Sequence, residues 1–319
     1  MPPFPRPTAM SSRFPPGVSD VLASEARLGD YGESGPCEAR NRAVLAASTP
    51  WIFLIDADAE PAPDCLERLL EAAEAHPSAA VISPRVLLAK DPGRIQYDGG
   101  SCHFLGEMCF DNARRPLSSA VAPSLRPVVA ATTALLIHRE RALGAGLFDP
   151  ELVFFREDLE FCLRLGALGF PVVHCPEAVV YHRPAPKEAR GPLHRRRVFF
   201  QTRNRWWTIL KLFEWRTVAL TLPAQLAYEA LNLAFALRER EAAQYAASWL
   251  SLVANLPGLL RSRRAVQRRR KAADRHLLGA PELTWRMEAL RAPLAPMVQR
   301  ATNALCRGWW RAVAPLLSR

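Results

Sequence analysis

The chain has 319 residues, of which 49% are hydrophobic and 23% charged, and its formal net charge is +11. This balance is ordinary for a globular protein and excludes a wholly disordered, collagen-like or disulfide-scaffold chain. The 7 cysteines form no Cys-x-x-Cys pair, which argues against a structural zinc site and favours a reducing compartment.

Charge is unevenly distributed along the chain. Residues 1–182 carry 16 basic and 23 acidic side chains, whereas residues 183–319 carry 26 and 8. The acidic first half suits a cation, and the basic second half suits an anionic surface or ligand. We therefore expect two regions with different tasks.

The first elements after a proline-rich start predict an α/β fold. A helix is expected over 38–48, and the continuous apolar run 51–55 predicts a strand buried on both faces. A helix over 64–75, capped by Asp64, and a strand over 79–83 follow. Together they predict a βαβ unit with a parallel pair of strands.

The middle of the chain predicts further short elements. Residues 84–127 are polar and irregular, with a hairpin expected around Gly99-Gly100. The other elements expected in this part are a strand over 128–138, helices over 139–145 and 157–168, and strands over 170–174 and 178–182.

The last third of the chain has a different character. Residues 194–213 predict a basic, aromatic helix, and residues 217–237 are apolar except for a few polar interruptions. A spanning helix needs ~20 apolar residues with few polar ones, so we expect 217–237 to lie in the membrane interface. The run Arg261–Lys271 and the amphipathic tail 284–319 add the positive charge that anionic lipid head groups attract.

Asp56-Ala57-Asp58 directly follows the strand over 51–55. At the carboxyl end of a strand the chain turns, so both carboxylates can converge on one ligand, and ligands of open α/β sheets bind at that edge. Carboxylate oxygens suit Mg²⁺ or Mn²⁺ bound together with a diphosphate. The alternative is a pair of solvated turn aspartates, and the preceding strand favours the metal site.

Glu157 and Asp158 open a predicted helix, and His182 ends the last predicted strand of the acidic half. Acidic residues stabilise a first helical turn through the helix dipole, so a structural role for the pair is open. The functional alternative is a general base that takes a proton from a hydroxyl nucleophile. His182 is either a structural histidine or a third protein ligand to the metal.

The motifs, taken in this order, resemble the inverting family 2 glycosyltransferases of the GT-A fold, and most closely their bacterial rhamnosyltransferase-like branch. Each motif is loose alone, but the ordered set is specific and covers about residues 38–270. The motifs are Ala39-Arg40-Asn41-Arg42, Asp56-Ala57-Asp58, Gly99-Gly100, Phe148-Asp149, Glu157 to Arg164, Gly169-Phe170, Tyr181-His182-Arg183 and Arg203-Asn204-Arg205.

The resemblance implies a division into three regions. Residues 1–36 would be a proline-rich, disordered arm. Residues 37–193 would form a GT-A-like (Rossmann-like) catalytic domain, with a mixed sheet flanked by helices. Residues 194–319 would form a basic, amphipathic helical region associated with the membrane.

The resemblance also implies how the donor binds. Asp56 would contact the ribose of a nucleotide-sugar donor or the metal, and Arg40 and Asn41 would lie near the nucleotide. Asp58 and His182 would bind Mn²⁺ or Mg²⁺ on the donor diphosphate.

On the acceptor side, Asp158 would be the catalytic base and Glu157 would position the acceptor. The reaction implied is metal-dependent, inverting transfer of a sugar to a hydroxyl of a lipid-linked saccharide in cell-surface polysaccharide synthesis. Its place would be the cytoplasmic face of the bacterial inner membrane.

One departure from the family pattern leaves a second hypothesis open. Relatives begin with a further nucleotide-binding βαβ unit, whereas no apolar strand precedes Trp51. We expect a misplaced start and an active intact protein. The alternative is a truncated or degenerate transferase that acts as a non-catalytic membrane partner. Nucleic-acid binding through Arg261–Lys271 is not expected, because no recognised binding module accompanies the run.

Overall fold

The structure is a computed structural model that describes residues 35–120, 126–129, 131–183, 196–283 and 295–317. Nearly all of the predicted arm therefore lies outside the described residues, as does the part of the predicted tail before Ala295. Gly35 and Pro36, assigned above to the arm, belong to the first helix.

The strands form one mixed sheet and one small sheet. The large sheet contains β1 (Trp51–Ile55), β2 (Ala59–Pro61), β3 (Val81–Leu88), β4 (Asp91–Tyr97), β7 (Arg126–Val128), β8 (Ala134–His138) and β9 (Val172–His182). Its order is β1-β8-β3-β9-β2, with β4 also beside β3 and β7 also beside β9. The small sheet contains β5 (Gly100–His103), β6 (Met108–Phe110) and β10 (Leu278–Gly279).

Helices flank the large sheet and form most of the described chain after β9. They are α1 (Gly35–Ala46), α2 (Cys65–Ala75), α3 (Arg139–Ala145), α4 (Glu157–Ala167), α5 (Arg197–Leu212), α6 (Trp215–Arg238), α7 (Ala242–Ala254), α8 (Leu256–Gln267), α9 (Asp274–Leu277) and α10 (Ala295–Val313). The predicted class, a mixed α/β sheet flanked by helices and followed by a helical region, is confirmed.

The predicted parallel pair of β1 and β3 is wrong. β8 lies between them and is antiparallel to both, so that Leu136 faces Phe53 on one side and Ile82 on the other. The two strands still run in the same direction. The true parallel neighbour of β3 is β9, because an apolar strand from later in the chain fills the gap that sequence order alone leaves open.

Within its described residues, the stretch predicted as irregular, 84–127, contains several short strands. β3 continues to Leu88 and turns back into β4, which pairs with it. The hairpin expected around Gly99-Gly100 is wrong, since β4 and β5 belong to different sheets. Gly99 has a φ of +74°, and a Cβ there would lie 2.9 Å from the Val128 side chain. Glycine thus allows the chain to cross from one sheet to the other.

Two other predicted strands have different limits. The strands over 170–174 and 178–182 are a single strand, β9, with a bulge where Cys175 pairs with Pro84 and Val179 with Arg85. The strand over 128–138 is wrong in its first half: only β8 belongs to it, and β7 ends at Val128 and pairs with β9. Asp64 precedes α2 without a side-chain cap bond, because its carboxylate faces Arg68 at 3.5 Å.

Helix α5 is a core element. Trp207, Ile209 and Leu212 are buried in the same apolar cluster as Ile52 and Val81 of the sheet. Three of its basic side chains, those of Arg203, Arg205 and Lys211, are also buried, and each is paired with a carboxylate. These ion pairs join Arg203 to Glu151, Arg205 to Glu229, and Lys211 to both Asp149 and Glu160.

Some side chains of the basic run Arg261–Lys271 are also paired inside the protein. Arg263 Nη1 donates to the carbonyl oxygens of Leu210 and Phe213, at 2.7 and 2.6 Å. Arg270 Nη1 pairs with Asp274 Oδ1 at 3.0 Å. Positive groups at the end of α5 complement the partial negative charge of its last carbonyls.

Helix α6 turns its polar side inward. Among the residues from 217 to 237, the buried polar ones recur every four positions, and every exposed one is leucine, alanine or proline. The buried polar residues are Thr217, Thr221, Gln225 and Glu229. Leu226 and Leu237 are 56% and 58% exposed. Among the residues described, none of the helices is both long and apolar enough to cross a membrane.

Candidate active site

One edge of the large sheet collects the predicted site residues. β1 ends just before Asp56, and β9 ends at His182. The two strands run in the same direction, so their carboxyl ends reach the same edge, where ligands of α/β sheets bind. The antiparallel strand β4 brings Gln96 and Tyr97 to this edge as well, through the pairing of Tyr97 with Val86.

Arg40 of α1 joins two of the carboxylates. Its Nη2 lies 2.9 Å from Asp56 Oδ1, and its Nη1 lies 3.1 Å from Glu157 Oε1. The guanidinium also lies over the Phe148 ring, 5.3 Å from its centroid. The Arg40 guanidinium thus links Asp56 to Glu157, a contact that sequence reasoning missed.

Asp58 faces His182. The short strand β2 follows Asp58 and pairs with β9, so that Ala59 lies opposite His182. Asp58 Oδ1 lies 3.1 Å from His182 Nε2. Asp58 and Asp56 therefore contact different partners, although both lie at the predicted edge.

The second ring nitrogen of His182 determines what the first can bind. His182 Nδ1 lies 2.8 Å from Gln96 Oε1, an acceptor, so this nitrogen carries the hydrogen and donates. In the neutral ring, Nε2 then keeps a lone pair, which points to the Asp58 carboxylate. A carboxylate and an imidazole lone pair this close form a donor set that fits a divalent cation.

Glu157 and Asp158 begin α4 and are both buried. Asp158 Oδ1 accepts from the Leu159 amide at 2.9 Å. Burial, together with the neighbouring charge of Asp158, raises the pKa of Glu157 to about 7, although Arg40 opposes the shift. Glu157 Oε2 has no hydrogen-bond partner among the described residues. A buried carboxylate with one oxygen uncommitted is suited to exchange a proton or to accept a ligand hydroxyl.

Tyr97 is a site residue that sequence reasoning missed. The side chain is buried. Burial, and then the charges of Asp56, Asp158 and Asp58, raises the pKa of its phenol well above the ordinary value. The phenol stays protonated and is a hydrogen-bond donor next to the carboxylates. The only sequence signal was its position just before Asp98-Gly99-Gly100.

The remaining candidates have structural partners. Asn41 exchanges two hydrogen bonds of 2.8 Å with the backbone of Phe148, and its placement near a nucleotide stays a prediction. His174 of β9 lies between Ser83 Oγ at 3.3 Å and Asp98 Oδ1 at 2.7 Å. This chain of groups has the order of a serine hydrolase triad, but all three side chains are buried and no substrate can reach them.

Asp58 and His182, the predicted metal ligands, would supply only part of a coordination shell. Within the described ranges, no cluster of three or more His, Cys, Asp or Glu side chains is arranged to hold a metal ion. The Asp58–His182 pair therefore offers two ligands, and a cation there would take the others from a bound ligand or water.

Comparison with known proteins supports the family resemblance. Residues 30–115 match the family described as Glycosyl transferase family 2. N-acetylglucosaminyl-diphospho-decaprenol L-rhamnosyltransferase of Mycobacterium tuberculosis, strains CDC 1551 / Oshkosh and ATCC 25618 / H37Rv, is 30% identical over 158 residues. The match covers 44% of this chain and 50% of the relative. The chain thus spans about half the length of the curated relatives it matches.

Two solved structures are also similar. A crystal structure of GalNAc-T7 with UDP, GalNAc and Mn²⁺ has a TM-score of 0.46 and 16% identity, and covers 60% of this chain and 38% of its own. A crystal structure of S. aureus TarS 1–349 has a TM-score of 0.42 and 12% identity, and covers 89% of this chain and 71% of its own.

The family match includes α1, Asp56 and Asp58, and it ends just after β6. The segment from residue 30 to residue 115 is therefore a glycosyl transferase family 2 segment, and the family resemblance predicted from the motifs is confirmed.

Proposed function

We propose that this chain transfers a sugar from a nucleotide-diphosphate donor to a hydroxyl of a lipid-linked saccharide, with inversion at the anomeric carbon. The observation that carries the proposal is the assembly of four carboxylates, Arg40 and His182 at one sheet edge. The named activity of the mycobacterial relatives, which act on a diphospho-decaprenol sugar, supports the acceptor class.

Asp158 is the proposed catalytic base. Inversion needs one displacement at the anomeric carbon, so one carboxylate must take the proton of the acceptor hydroxyl as the new bond forms. Glu157, beside it, has a pKa of about 7 and positions the acceptor hydroxyl through Oε2. Arg40 fixes Glu157 by its ion pair and keeps the pair of carboxylates oriented.

The donor side depends on neutralising charge. A nucleotide diphosphate would be repelled by Asp56 and Asp58 alone. Asp58 and His182 would hold Mn²⁺ or Mg²⁺, which offsets negative charge on the leaving diphosphate. Asp56, held by Arg40, is placed to accept from a ribose hydroxyl.

Calorimetric titration of this chain with UDP and dTDP, with and without Mn²⁺, tests the donor site. We expect metal-dependent binding that Asp58→Ala abolishes and that Asp64→Ala, which removes a solvent-exposed aspartate at the start of α2, leaves intact. Absence of binding by the folded chain would favour a non-catalytic membrane partner.

Association with an anionic membrane at the cytoplasmic face is part of the proposal. In addition to the outward leucines of α6, α7 carries exposed apolar side chains, and its Leu250 and Val253 are 71% and 65% exposed. Exposed apolar side chains, combined with exposed arginines such as Arg264, suit an interface of acyl chains and anionic head groups.

Sedimentation with vesicles tests this association. Wild-type protein should bind vesicles containing anionic lipid, and the double variant Leu226→Asp/Leu250→Asp should bind at least tenfold more weakly. Leu45→Asp is the matched control, because Leu45 of α1 is 56% exposed but belongs to the other half. Equal binding by all three proteins would contradict the proposal.

A further inference from the structure

The backbone that leads into α4 is strained. Val153, Phe155 and Arg156 have φ values of +56°, +63° and +69°, a region that residues with side chains rarely adopt. Val153, with a ψ of −63°, is the centre of a γ-turn closed by the Phe154 amide and the Leu152 carbonyl at 2.6 Å. Each such conformation is unfavourable, so surrounding contacts must hold the segment.

Asn204 of α5 supplies most of those contacts. Its Nδ2 lies 2.8 Å from the carbonyl oxygen of Leu152, 2.9 Å from that of Phe154 and 2.8 Å from that of Phe155. The side chain is fully buried. One amide group, with its two hydrogens shared, therefore contacts three carbonyls of residues 152–155, which overlap the strained residues.

Arg203 orients this amide. Its Nη1 lies 3.1 Å from Asn204 Oδ1 and donates as well to the Glu151 carbonyl. Because the Asn204 oxygen already accepts from a cation, the amino group must face the carbonyls. The orientation of Asn204 is thus determined by its neighbour and not by the strained segment alone.

A second anchor holds the end of the segment. Arg156 Nη1 lies 2.6 Å from the Gly106 carbonyl oxygen, and Nη2 lies 2.7 Å from Glu107 Oε2. Tyr228 of α6 donates to the other oxygen of Glu107 at 3.1 Å. Contacts from α5 and α6 therefore fix the residues immediately before Glu157.

We propose that Asn204 is a positioning residue for Glu157 and Asp158: it holds the strained segment 153–156 so that both carboxylates face Arg40 and Asp56. This inference rests on the proposed sugar transfer for its effect on turnover. Catalytic groups displaced by about 1 Å can lose ~10²-fold in rate, so loosening this segment acts on the chemical step. Donor binding depends on Asp56, Asp58 and His182, none of which Asn204 contacts.

The test uses two substitutions of Asn204 in the full chain. Asn204→Asp keeps the shape and the acceptor for Arg203 but removes the donors, and Asn204→Ala removes the group. We expect kcat to fall about 10- to 100-fold, while the affinity for nucleotide diphosphate with Mn²⁺ stays within about twofold. Should Asn204→Asp not fold, Asn204→Ser, which keeps one donor, takes its place in the same assays.

Thr208→Val is the matched control. Thr208 lies one turn further along α5, is fully buried, and its hydroxyl has no hydrogen-bond partner among the described residues. This variant should keep kcat within about twofold. If Asn204→Ala also kept kcat within about twofold, or lost donor affinity as strongly as turnover, the positioning role would be refuted.

A second readout does not depend on sugar transfer. The stability difference between wild type and Glu157→Gln as a function of pH reports the environment of the Glu157 carboxyl. In the Asn204→Ala background we expect the pH midpoint of this stability difference to move toward the pKa of an ordinary glutamate. In the Thr208→Val background the midpoint should not change. If the wild type transfers no sugar but the midpoint moves as expected, the proposed function fails and the positioning role stands; an unmoved midpoint refutes the positioning role.

Discussion

The sheet edge and the helical half both concentrate charge, but they use it in opposite ways. At the edge, one Glu157 carboxylate oxygen has no hydrogen-bond partner in the part of the chain that the structure describes, and the Asp58 side chain is 42% exposed. In the helical half, Arg205 and Lys211 are buried and paired with carboxylates. A charged group with an uncommitted or exposed atom is available to a ligand, whereas a buried charged group paired with an opposite charge determines how the helices pack.

The largest expected effect is on turnover at the edge. Asp158→Asn keeps the volume of the side chain but cannot take a proton, so kcat should fall by ~10³-fold, within the range typical for a general base. Donor affinity, measured by calorimetry, should remain. Near-normal turnover in this variant would move the role of base to Glu157.

The next effect tests the paired charge of the helical half. Glu229 accepts from Arg205, from Trp206 Nε1 at 2.8 Å and from Tyr245 at 2.7 Å. Glu229→Ala leaves the buried Arg205 without its carboxylate and Trp206 Nε1 without this acceptor, and should lower the free energy of unfolding by about 3–5 kcal/mol, measured by urea denaturation.

The control for this prediction replaces both charged side chains with apolar side chains of similar volume. The double variant Arg205→Met/Glu229→Leu removes both charges together and should be much closer to wild type in stability. A loss below about 1 kcal/mol for Glu229→Ala would mean that the helical half does not depend on its paired charge.

The raised pKa of the Glu157 carboxyl predicts a smaller effect, on the pH dependence of stability. Its pKa is raised from about 4.5 to about 7, so the folded state holds the proton more tightly than the unfolded chain does. The stabilisation from that proton is complete below about pH 4.5 and is lost as the pH rises through 7. Glu157→Gln, which imitates the protonated form, should therefore gain stability relative to wild type as the pH rises, reaching about 1–3 kcal/mol near pH 8.

Thermal unfolding between pH 5 and 8 measures this difference. Thr208→Val, which introduces no titrating group, should follow the wild type at every pH. Parallel curves for wild type and Glu157→Gln would contradict the buried, charge-crowded environment of this carboxylate.

The smallest effect belongs to an ion pair outside both regions. Arg68 of α2 faces Asp64 at 3.5 Å and Glu71 at 3.2 Å on the surface. Solvent screening leaves such pairs with little net value. Arg68→Ala should leave the melting temperature unchanged within error, and a clear drop would show that exposed charge also contributes to the stability of this chain.

Local patterns of the sequence predicted single elements well. The apolar run of β1, the leucine spacing of α2 and the acidic start of α4 each gave the right element within a few residues. The neighbours of β1 could not be predicted in this way, because strand pairing is decided by the fit of β8 between β1 and β3. Nothing in the sequence between 51 and 88 carries that information.

For the candidate site as well, some positions could be predicted from local patterns and others could not. Asp56, Asp58 and His182 were predictable, because residues at the ends of strands that run in one direction meet at one edge. The bridge from Arg40 to Glu157 and the approach of Tyr97 were not, since they depend on how α1 and β4 lie over that edge. Similarly, the composition of α6 indicated an interfacial helix, but its inward polar face depends on buried partners such as Arg205.

The insertion of β8 between β1 and β3 has a consequence for the order of folding. β1, which ends just before Asp56, can join the sheet only after β8, which begins at Ala134, has been synthesised, and Glu157 and His182 come later still in the chain. Closing such long loops is entropically unfavourable, and chains rich in distant contacts fold slowly. During synthesis, Asp56 and Asp58 therefore leave the ribosome well before β8 does. We expect the candidate site to form late in folding, in a single step.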